Sequence, residues 1–224
     1  MSSSQQSPIR AAILGYGLAG SVFHAPLIAS VAGMEVAAIV SGNPERQARA
    51  QRDYPAARVL SSADVLFADP TTIDLVVVAT PNDSHLKLGL AAIQAGLPVV
   101  IDKPFTPTSD GARQLIEAAS AAGVPLTVFQ NRRWDSDFRT LQALLAVGAL
   151  GAIVRFESRY ERYRPTGSTN SWREHAAQQE AGGLLFDLGA HLIDQALHLL
   201  GEPVSVCAES DARRPGAQVD DDTF

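Results

Sequence analysis

A glycine-rich turn after the first apolar segment constrains the fold more than any other feature of the chain. Residues 9–14 form a short, almost uninterrupted apolar run, which is typical of a strand buried on both faces of a parallel sheet. Gly15, Gly17 and Gly20 follow with the spacing G-x-G-x-x-G. In the dinucleotide-binding form of this motif, the first glycine makes a tight turn, the second admits a pyrophosphate and the third brings a helix close to the strand. Three glycines also occur for turn geometry alone, so this interpretation depends on the rest of the chain.

Composition favours a protein that acts on small molecules. With 46% hydrophobic residues among 224, the chain can bury a large core, in one large domain or two small ones. The formal net charge is −6, and the 18 basic residues are scattered rather than clustered. This distribution argues against nucleic acid or an anionic membrane as a partner.

The single cysteine and the first residues bear on cellular location. Cys207 has no partner for an internal disulfide and cannot build a cysteine metal site, which favours a reducing compartment. Its apolar surroundings predict that it is buried in a strand. Residues 1–7 are polar, contain no lysine or arginine and precede no long apolar run. We therefore expect a disordered tail and a cytoplasmic protein, with neither a signal peptide nor a membrane anchor.

Short apolar runs and helical segments alternate through the first part of the chain, which predicts parallel strands joined by crossover helices. After the first run, the predicted strands are 35–40, 58–60, 74–80, 98–101 and 124–129. Predicted helices lie between them, among them 21–31, in which Pro26 is expected to cause a kink or a restart. This alternation predicts a doubly wound Rossmann domain over residues 8–130.

The end of the second predicted strand bears on cofactor choice. Where NAD-binding proteins place an acid for the ribose 2′-hydroxyl, this chain has Ser41, followed by Arg46 and Arg49. A hydroxyl and a guanidinium can bind a 2′-phosphate, whereas a carboxylate would repel it. The pattern favours NADP over NAD, with NAD still possible. Alternatively, both arginines are ordinary solvated residues of helix 44–53.

Two other strand ends carry polar residues, and carboxyl ends of parallel strands face the same crevice. The first is the turn Thr80-Pro81-Asn82 with His85 close behind; Ser84 in this turn is an alternative helix cap. Lys103, at the second, lies where a substrate would meet a nicotinamide, although an exposed loop lysine is the simpler alternative.

His24 follows the glycine turn and is a less attractive candidate. No acidic residue lies near it in the sequence to orient it as a base. We expect it to cap or pack rather than to react.

The character of the chain changes after residue 130, which predicts a second, α+β domain over residues 131–224. A polar cluster at 131–135 precedes a helix that ends near Gly148. Residues 153–163 alternate apolar and charged side chains, which predicts an antiparallel strand with one solvated face. A further strand is expected at 204–209.

A second chemical cluster lies on a predicted helix near residue 190. Asp187, His191, Asp194 and His198 are spaced by four, three and four residues, so they share one helix face. An Asp/His pair four residues apart suits proton transfer or a metal. No further cysteine, histidine or carboxylate cluster completes a metal set, so we favour proton transfer and predict no metal. A merely solvated polar face is the alternative.

Taken together, these motifs resemble the glucose-fructose oxidoreductase, inositol dehydrogenase and MocA-like (Gfo/Idh/MocA) family. The similarity runs from about Ile9 to the end of the chain. It rests on the glycine motif, on Thr80-Pro81-Asn82-x-x-His85, on Asp102-Lys103-Pro104 in place of the family's Glu-Lys-Pro, and on Asp187-x-Gly189-x-His191-x-x-Asp194. Residues 15–26 and 131–135 look most like the NADP-dependent scyllo-inositol dehydrogenase type.

The resemblance implies a Rossmann domain followed by an α+β domain with an open, mainly antiparallel sheet. It also implies hydride transfer between a nicotinamide cofactor and a secondary alcohol of a sugar or cyclitol, in a homo-oligomer if the chain is full length. Lys103 would hydrogen-bond the reacting hydroxyl, His191 would accept its proton, and Asp187 would bind and orient the substrate.

The resemblance also assigns contacts by residue. The expected cofactor contacts are Gly15, Tyr16, Gly17, Leu18, Ala19, Gly20, Ser41, Arg46, Thr80, Pro81, Asn82, His85, Asp102 and Lys103. The expected substrate contacts are Arg132, Trp134, Trp172, Asp187 and His191.

Members of the family are substantially longer than this chain, so we expect a truncated second domain that lacks strands. Two other functions stay open. Relatives with this fold include proteins that bind a nucleotide without catalysis and act as sensors, and NAD-dependent glycosidases that oxidise a sugar carbon transiently.

Overall fold

In a computed structural model, residues 7–167, 174–175 and 180–224 are described, and they divide into two compact units. The first unit runs to Phe129 and the second begins at Gln130. Each has its own elements. In the part of the chain that is described, no helix is long and apolar enough to cross a membrane.

The first unit is a six-stranded, fully parallel sheet with helices between its strands. Its elements are β1 (Ile9–Leu14), α1 (Ala25–Ser30), β2 (Met34–Val40), α2 (Pro44–Asp53), β3 (Arg58–Leu60), α3 (Ala63–Phe67), β4 (Leu75–Val78), α4 (His85–Gln94), β5 (Val99–Asp102), α5 (Ser109–Ala122) and β6 (Leu126–Phe129). The strand order is β3-β2-β1-β4-β5-β6. The predicted doubly wound Rossmann sheet is therefore confirmed.

β1 and β4 are the adjacent strands where the chain reverses its direction of winding. Leu14 pairs with Val78 at the ends of these strands. The Gly15 amide donates to the Val40 carbonyl oxygen at 2.8 Å, and the Ala79 amide donates to that of Leu14, also at 2.8 Å. These bonds hold the ends of three strands together at the topological switch point, where ligands bind in open α/β sheets.

Both faces of this sheet are buried. Along β1, Ala12 and Leu14 belong to one apolar cluster, while Ala11 and Ile13 belong to the other. All four are at most 1% exposed. Apolar residues at consecutive positions are therefore needed, which explains why the run shows no polar alternation.

The helix predicted at 21–31 is continuous but changes type just before Pro26. A π-helical turn spans Ala19–His24, and α1 then begins at Ala25 with Pro26 in its first turn. The change of hydrogen-bond pattern at the π-helical turn accommodates the residue that has no amide hydrogen. At the start of α5, Thr108 Oγ1 accepts from the Gly111 amide and caps the helix.

The second unit contains two longer helices and one short antiparallel ladder among its described residues. A 3₁₀ turn spans Asn131–Trp134, α6 spans Ser136–Ala146, and a π-helical turn at Leu185–Gly189 leads into α7 (Ala190–Leu200). β7 (Ser210–Asp211) pairs with β8 (Asp222–Thr223).

The strands predicted in this unit are placed wrongly. Residues 153–163 form no ladder with any other described segment, and Val154 is 99% exposed. Alternation selects which face of a strand is apolar, but the strand itself needs a neighbouring backbone to bond. Residues 204–208 are likewise outside any ladder of the described chain, although Glu209 exchanges backbone hydrogen bonds with Phe224. Cys207, expected to be buried, is exposed because the strand around it does not form.

Candidate functional site

The three glycines of the motif differ in what a side chain at each position would contact. Gly15 has φ +98°, and a Cβ there would lie 2.5 Å from the Ala79 carbonyl oxygen. A Cβ on Gly20 would lie 2.0 Å from the Gly15 carbonyl oxygen, so this glycine allows the helical turn to approach β1. A Cβ on Gly17 would meet only Arg46 Nη1, at 3.8 Å. The fold therefore requires glycine at positions 15 and 20. At position 17 it does not, and the absence of a side chain there leaves open space next to the Gly17 backbone.

This open space fits a nucleotide pyrophosphate. Backbone at the start of a helical turn presents amides and a partial positive charge to an anion. At Gly17 the absent Cβ leaves room for close approach, and the Arg46 guanidinium lies beside it. Leu18 is exposed and Ala19 is half-buried in the same turn. The residues present therefore suit the phosphates of a dinucleotide cofactor.

The Tyr16 side chain is directed into the core and not into this space. It is 1% exposed, and its hydroxyl donates to Asp53 Oδ2 at 2.8 Å. Burial and the Asp53 carboxylate raise the pKa of Tyr16 well above its ordinary value. Only the main chain of Tyr16 is left for the cofactor contact that the motif predicted.

Arg49 supports the glycine turn from α2. Its guanidinium lies 4.9 Å from the centre of the Tyr16 ring, and Nη2 donates to the Tyr16 carbonyl oxygen at 2.7 Å. The alternative that Arg49 is an ordinary solvated residue is therefore wrong. Arg46, one turn earlier, is exposed beside Gly17.

Ser41 is held at the end of β2 by Gln47 of α2 and by Asn43, the residue that caps this helix. It is 7% exposed, its carbonyl oxygen accepts from Gln47 Nε2 at 2.5 Å, and its hydroxyl oxygen accepts from the Asn43 amide at 3.3 Å. Ser41 and Arg46 are thus supplied by one strand end and the first turn of the following helix.

The turn after β4 is braced internally. Ser84 Oγ donates to the Pro81 carbonyl oxygen at 2.6 Å and accepts from Thr80 Oγ1 at 2.6 Å. Asn82 is 6% exposed. The alternative in which Ser84 caps α4 is wrong, because its hydroxyl makes no cap hydrogen bond.

His85 does not present its ring to the site, which corrects its prediction as a direct cofactor contact. The residue is fully buried. Nδ1 lies 2.9 Å from the Pro104 carbonyl oxygen, and Nε2 lies 3.0 Å from that of Thr80. Both ring nitrogens are therefore occupied by main-chain acceptors inside the fold. The partner at Pro104 is 19 residues away, so no local sequence signal identifies this role.

The segment Asp102–Pro104, here named the lysine segment, ends β5. Asp102 Oδ1 accepts from the Lys103 amide at 2.8 Å. Asp102 Oδ2 lies 3.8 Å from His24 Nε2, and His24 is 4% exposed with its ring centre 4.2 Å from that of Phe129. His24 packs, as predicted, but it does have an acidic neighbour, which reaches it through the fold and not through the sequence.

In the second unit, the four residues of the predicted polar helix face lie in different environments. Asp187 lies in the π-helical turn and is half-buried, while His191 in the first turn of α7 is 5% exposed. Asp194 accepts from Arg133 through both carboxylate oxygens, at 2.7 and 2.6 Å. His198 lies near Phe138, with ring centres 6.0 Å apart. The alternative of a purely solvated face is therefore wrong.

The remaining predicted substrate residues lie near the start of this unit. Arg132 pairs with Asp135 at 2.8 Å, and this hydrogen bond raises the pKa of Arg132. Trp134 is 75% exposed, with the Arg139 guanidinium 5.3 Å from its ring. Trp172 lies outside the described residues. Arg132 also accepts, through its carbonyl oxygen, from Gln195 at 3.1 Å, so this segment is bonded to α7.

The fold and the glycine motif define the class of dinucleotide-binding Rossmann proteins. Residues 9–130 match the oxidoreductase family with an NAD-binding Rossmann fold, and residues 138–224 match the GFO/IDH/MocA C-terminal domain. The chain belongs to the GFO/IDH/MocA oxidoreductase family, as its motifs predicted.

Individual relatives agree with this placement. The chain is 47% identical to the uncharacterized oxidoreductase YdgJ of Escherichia coli, covering 95% of this chain and 60% of the relative. It is 42% identical to the scyllo-inositol 2-dehydrogenase (NADP(+)) IolW of Bacillus subtilis, covering 95% and 58%. An NAD-binding protein from Listeria innocua shares the fold with a TM-score of 0.87 at 31% identity, covering 97% and 62% of the two chains. The chain thus spans about three fifths of the length of these relatives.

Proposed function

We propose that this chain carries the cofactor site and part of the substrate domain of an NADP-preferring oxidoreductase acting on a secondary alcohol of a sugar or cyclitol. Residues 8–130 bind the cofactor, and residues 131–224 contribute to the substrate side. The observation that carries the proposal is the open backbone at Gly17 at the same sheet edge as the lysine segment. The 42% identity to an NADP-dependent scyllo-inositol dehydrogenase supports the substrate class. We further propose a cytoplasmic homo-oligomer.

The bound nicotinamide would supply the hydride acceptor, and this chain's residues would handle the proton. Lys103 donates a hydrogen bond to the reacting hydroxyl and favours its ionisation. His191 accepts the hydroxyl proton as carbonyl character builds, since an imidazole titrates in the useful pH range. Asp187 orients the substrate. These three roles follow from the family motif and are proposals for this chain.

The test is turnover by the purified protein with a panel of inositols and aldoses and each cofactor. We expect NADP reduction with at least one cyclitol or sugar, and a kcat lower by about 10²- to 10⁴-fold in Lys103→Met and His191→Asn, the range attributed to general acid–base groups. NADPH affinity, measured by fluorescence, should be retained in His191→Asn and should fall much less than kcat in Lys103→Met. Lys87→Met is the matched control for the lysine.

Other outcomes would contradict the proposal in distinguishable ways. Cofactor binding without turnover on any substrate would indicate a nucleotide-sensing protein. Release of a leaving group from a glycoside, without net cofactor reduction, would indicate a glycosidase. Unchanged turnover in Lys103→Met would remove the lysine from the mechanism.

Cofactor preference has its own test. Removing a charged hydrogen-bond donor from a phosphate costs about 1.5–3 kcal/mol, or roughly 10- to 150-fold in affinity. Arg46→Ala should therefore weaken NADP binding by that factor and weaken NAD binding much less, because only NADP carries the 2′-phosphate. Arg52→Ala, on the last turn of the same helix, is the control. Equal loss for both cofactors would contradict a 2′-phosphate contact.

A further inference from the structure

Two buried histidines flank the lysine segment, and the reaction proposed above uses neither of them. His85 follows the turn after β4, and His24 ends the π-helical turn after the glycine motif. Both are at most 4% exposed. Each therefore lies beside the lysine segment and close to one of the two turns that border the cofactor site.

His85 joins the ends of β4 and β5. Its ring nitrogens lie 2.9 Å from the Pro104 carbonyl oxygen and 3.0 Å from the Thr80 carbonyl oxygen. Both partners are acceptors, so each contact becomes a hydrogen bond only when the facing nitrogen carries hydrogen. The ring thereby fixes how far the residue after Lys103 lies from the polar turn.

His24 approaches the other side of the lysine segment. Its Nε2 is buried and has no hydrogen-bond partner among the described residues, and Asp102 Oδ2 lies 3.8 Å away. This separation exceeds the usual N–H···O distance of about 2.9 Å by less than an ångström. Packing against Phe129 holds the ring in place. The other Asp102 oxygen accepts from the Lys103 amide, so a bond from His24 would act on the lysine backbone through one carboxylate.

We infer that His24 and His85 are positioning residues that together set the location of Lys103 relative to the two cofactor-bordering turns. Neither ring needs to touch substrate or cofactor. The inference rests on the proposed function only for the consequence on catalysis. Its structural part concerns the lysine alone and is measured separately.

The chain offers a direct probe, because it contains only two lysines, Lys87 and Lys103. Reductive methylation with ¹³C-formaldehyde gives one NMR signal for each, beside that of the N-terminus, and Lys87→Arg assigns them. Lys87 is exposed on α4 and serves as an internal reference. The variants are His24→Phe, which keeps an aromatic ring against Phe129, and His24→Gln, which restores a side-chain N–H donor.

We expect His24→Phe to move the Lys103 signal and to leave the Lys87 signal in place. Loss of lysine placement by about 1 Å should lower kcat by about 10- to 100-fold with NADPH affinity retained. His24→Gln should recover most of both properties. His85→Gln, which keeps a donor for one carbonyl, should also displace the Lys103 signal, whereas Lys87 again reports the intact helix.

An unmoved Lys103 signal in His24→Phe and His85→Gln would overturn the inference. So would a fall in NADPH affinity that accounts for the loss of kcat, or a His24→Gln variant no better than His24→Phe. If the parental protein turns over no sugar or cyclitol, the proposed function fails, but the Lys103 signal still decides whether the histidines position the lysine.

Discussion

Arg49 contacts Tyr16 in two ways: its guanidinium lies over the Tyr16 ring, and it donates to the Tyr16 carbonyl oxygen at 2.7 Å. The carbonyl belongs to the glycine turn, while the ring is in the core. One side chain thus fixes both the turn and the residue that anchors it.

Replacing Arg49 should therefore loosen the cofactor site as well as the fold. Arg49→Met removes a hydrogen bond and a cation–π contact, each about 0.5–2 kcal/mol. We expect urea unfolding to show a loss of about 1–2 kcal/mol and NADPH titration to show weaker binding. Arg52→Met, also on α2, is the control. Parental stability in Arg49→Met would contradict this assignment.

Two of the motif glycines, Gly17 and Gly20, should respond differently to replacement by alanine. Gly17→Ala meets open space and should leave the free energy of unfolding almost unchanged. It should weaken NADPH binding at least about tenfold, or about 1.4 kcal/mol, because the methyl group fills the phosphate space. Gly20→Ala should destabilise the fold by about 1–3 kcal/mol through overpacking against the Gly15 carbonyl. Thermal unfolding and ligand titration of both variants check this. A Gly17→Ala protein that binds NADPH normally would exclude the proposed phosphate position.

The Arg133–Asp194 pair should stabilise the second unit more than an exposed pair does. The Asp194 side chain is 15% exposed, and the pairing raises the pKa of Arg133. Asp194→Asn should cost about 1–3 kcal/mol, between the values for exposed and buried pairs. The exposed Asp110–Arg113 pair supplies the control, Asp110→Asn, which should cost under about 0.5 kcal/mol. Equal losses in the two variants, by chemical denaturation, would contradict this ranking.

Acid should remove the contribution of the Arg10–Asp74 pair. Hydrogen bonds from Arg10 lower the pKa of Asp74 to about 2. A carboxyl with a lowered pKa in the folded chain stabilises it above the ordinary value, and this is lost as the pH falls toward 2. Both side chains are more than a third exposed, so Asp74→Asn should cost only about 0–1 kcal/mol at pH 7. The difference from parental should shrink by pH 2 in urea titrations; a constant difference would show that charge is not its source.

Local patterns in the sequence were sufficient to predict most of the strands and helices of the first unit. The bounds of β1 and α2 agree with prediction because an apolar run and a proline at a helix start are short-range signals. The crevice followed from topology, since strands 9–14 and 74–80 had to end on the same side.

The predictions that failed concerned features that depend on contacts between residues distant in sequence. Residues 153–163 carry the alternation of a strand, but no described neighbour pairs with them. His85 was assigned to the cofactor because it stands in a motif, yet its acceptor at Pro104 is visible only in three dimensions. The acid beside His24, Asp102, is similarly brought there by the sheet.

The arrangement of α2 has a consequence for protein engineering. Gln47 and Arg49 bond to the backbone at Ser41 and Tyr16, whereas Arg46 stands exposed beside Gly17. The two side chains that support the turns are thus different from Arg46, the position proposed to recognise the nucleotide. If that proposal holds, a designer can change position 46 while the neighbours that hold the two turns are left intact.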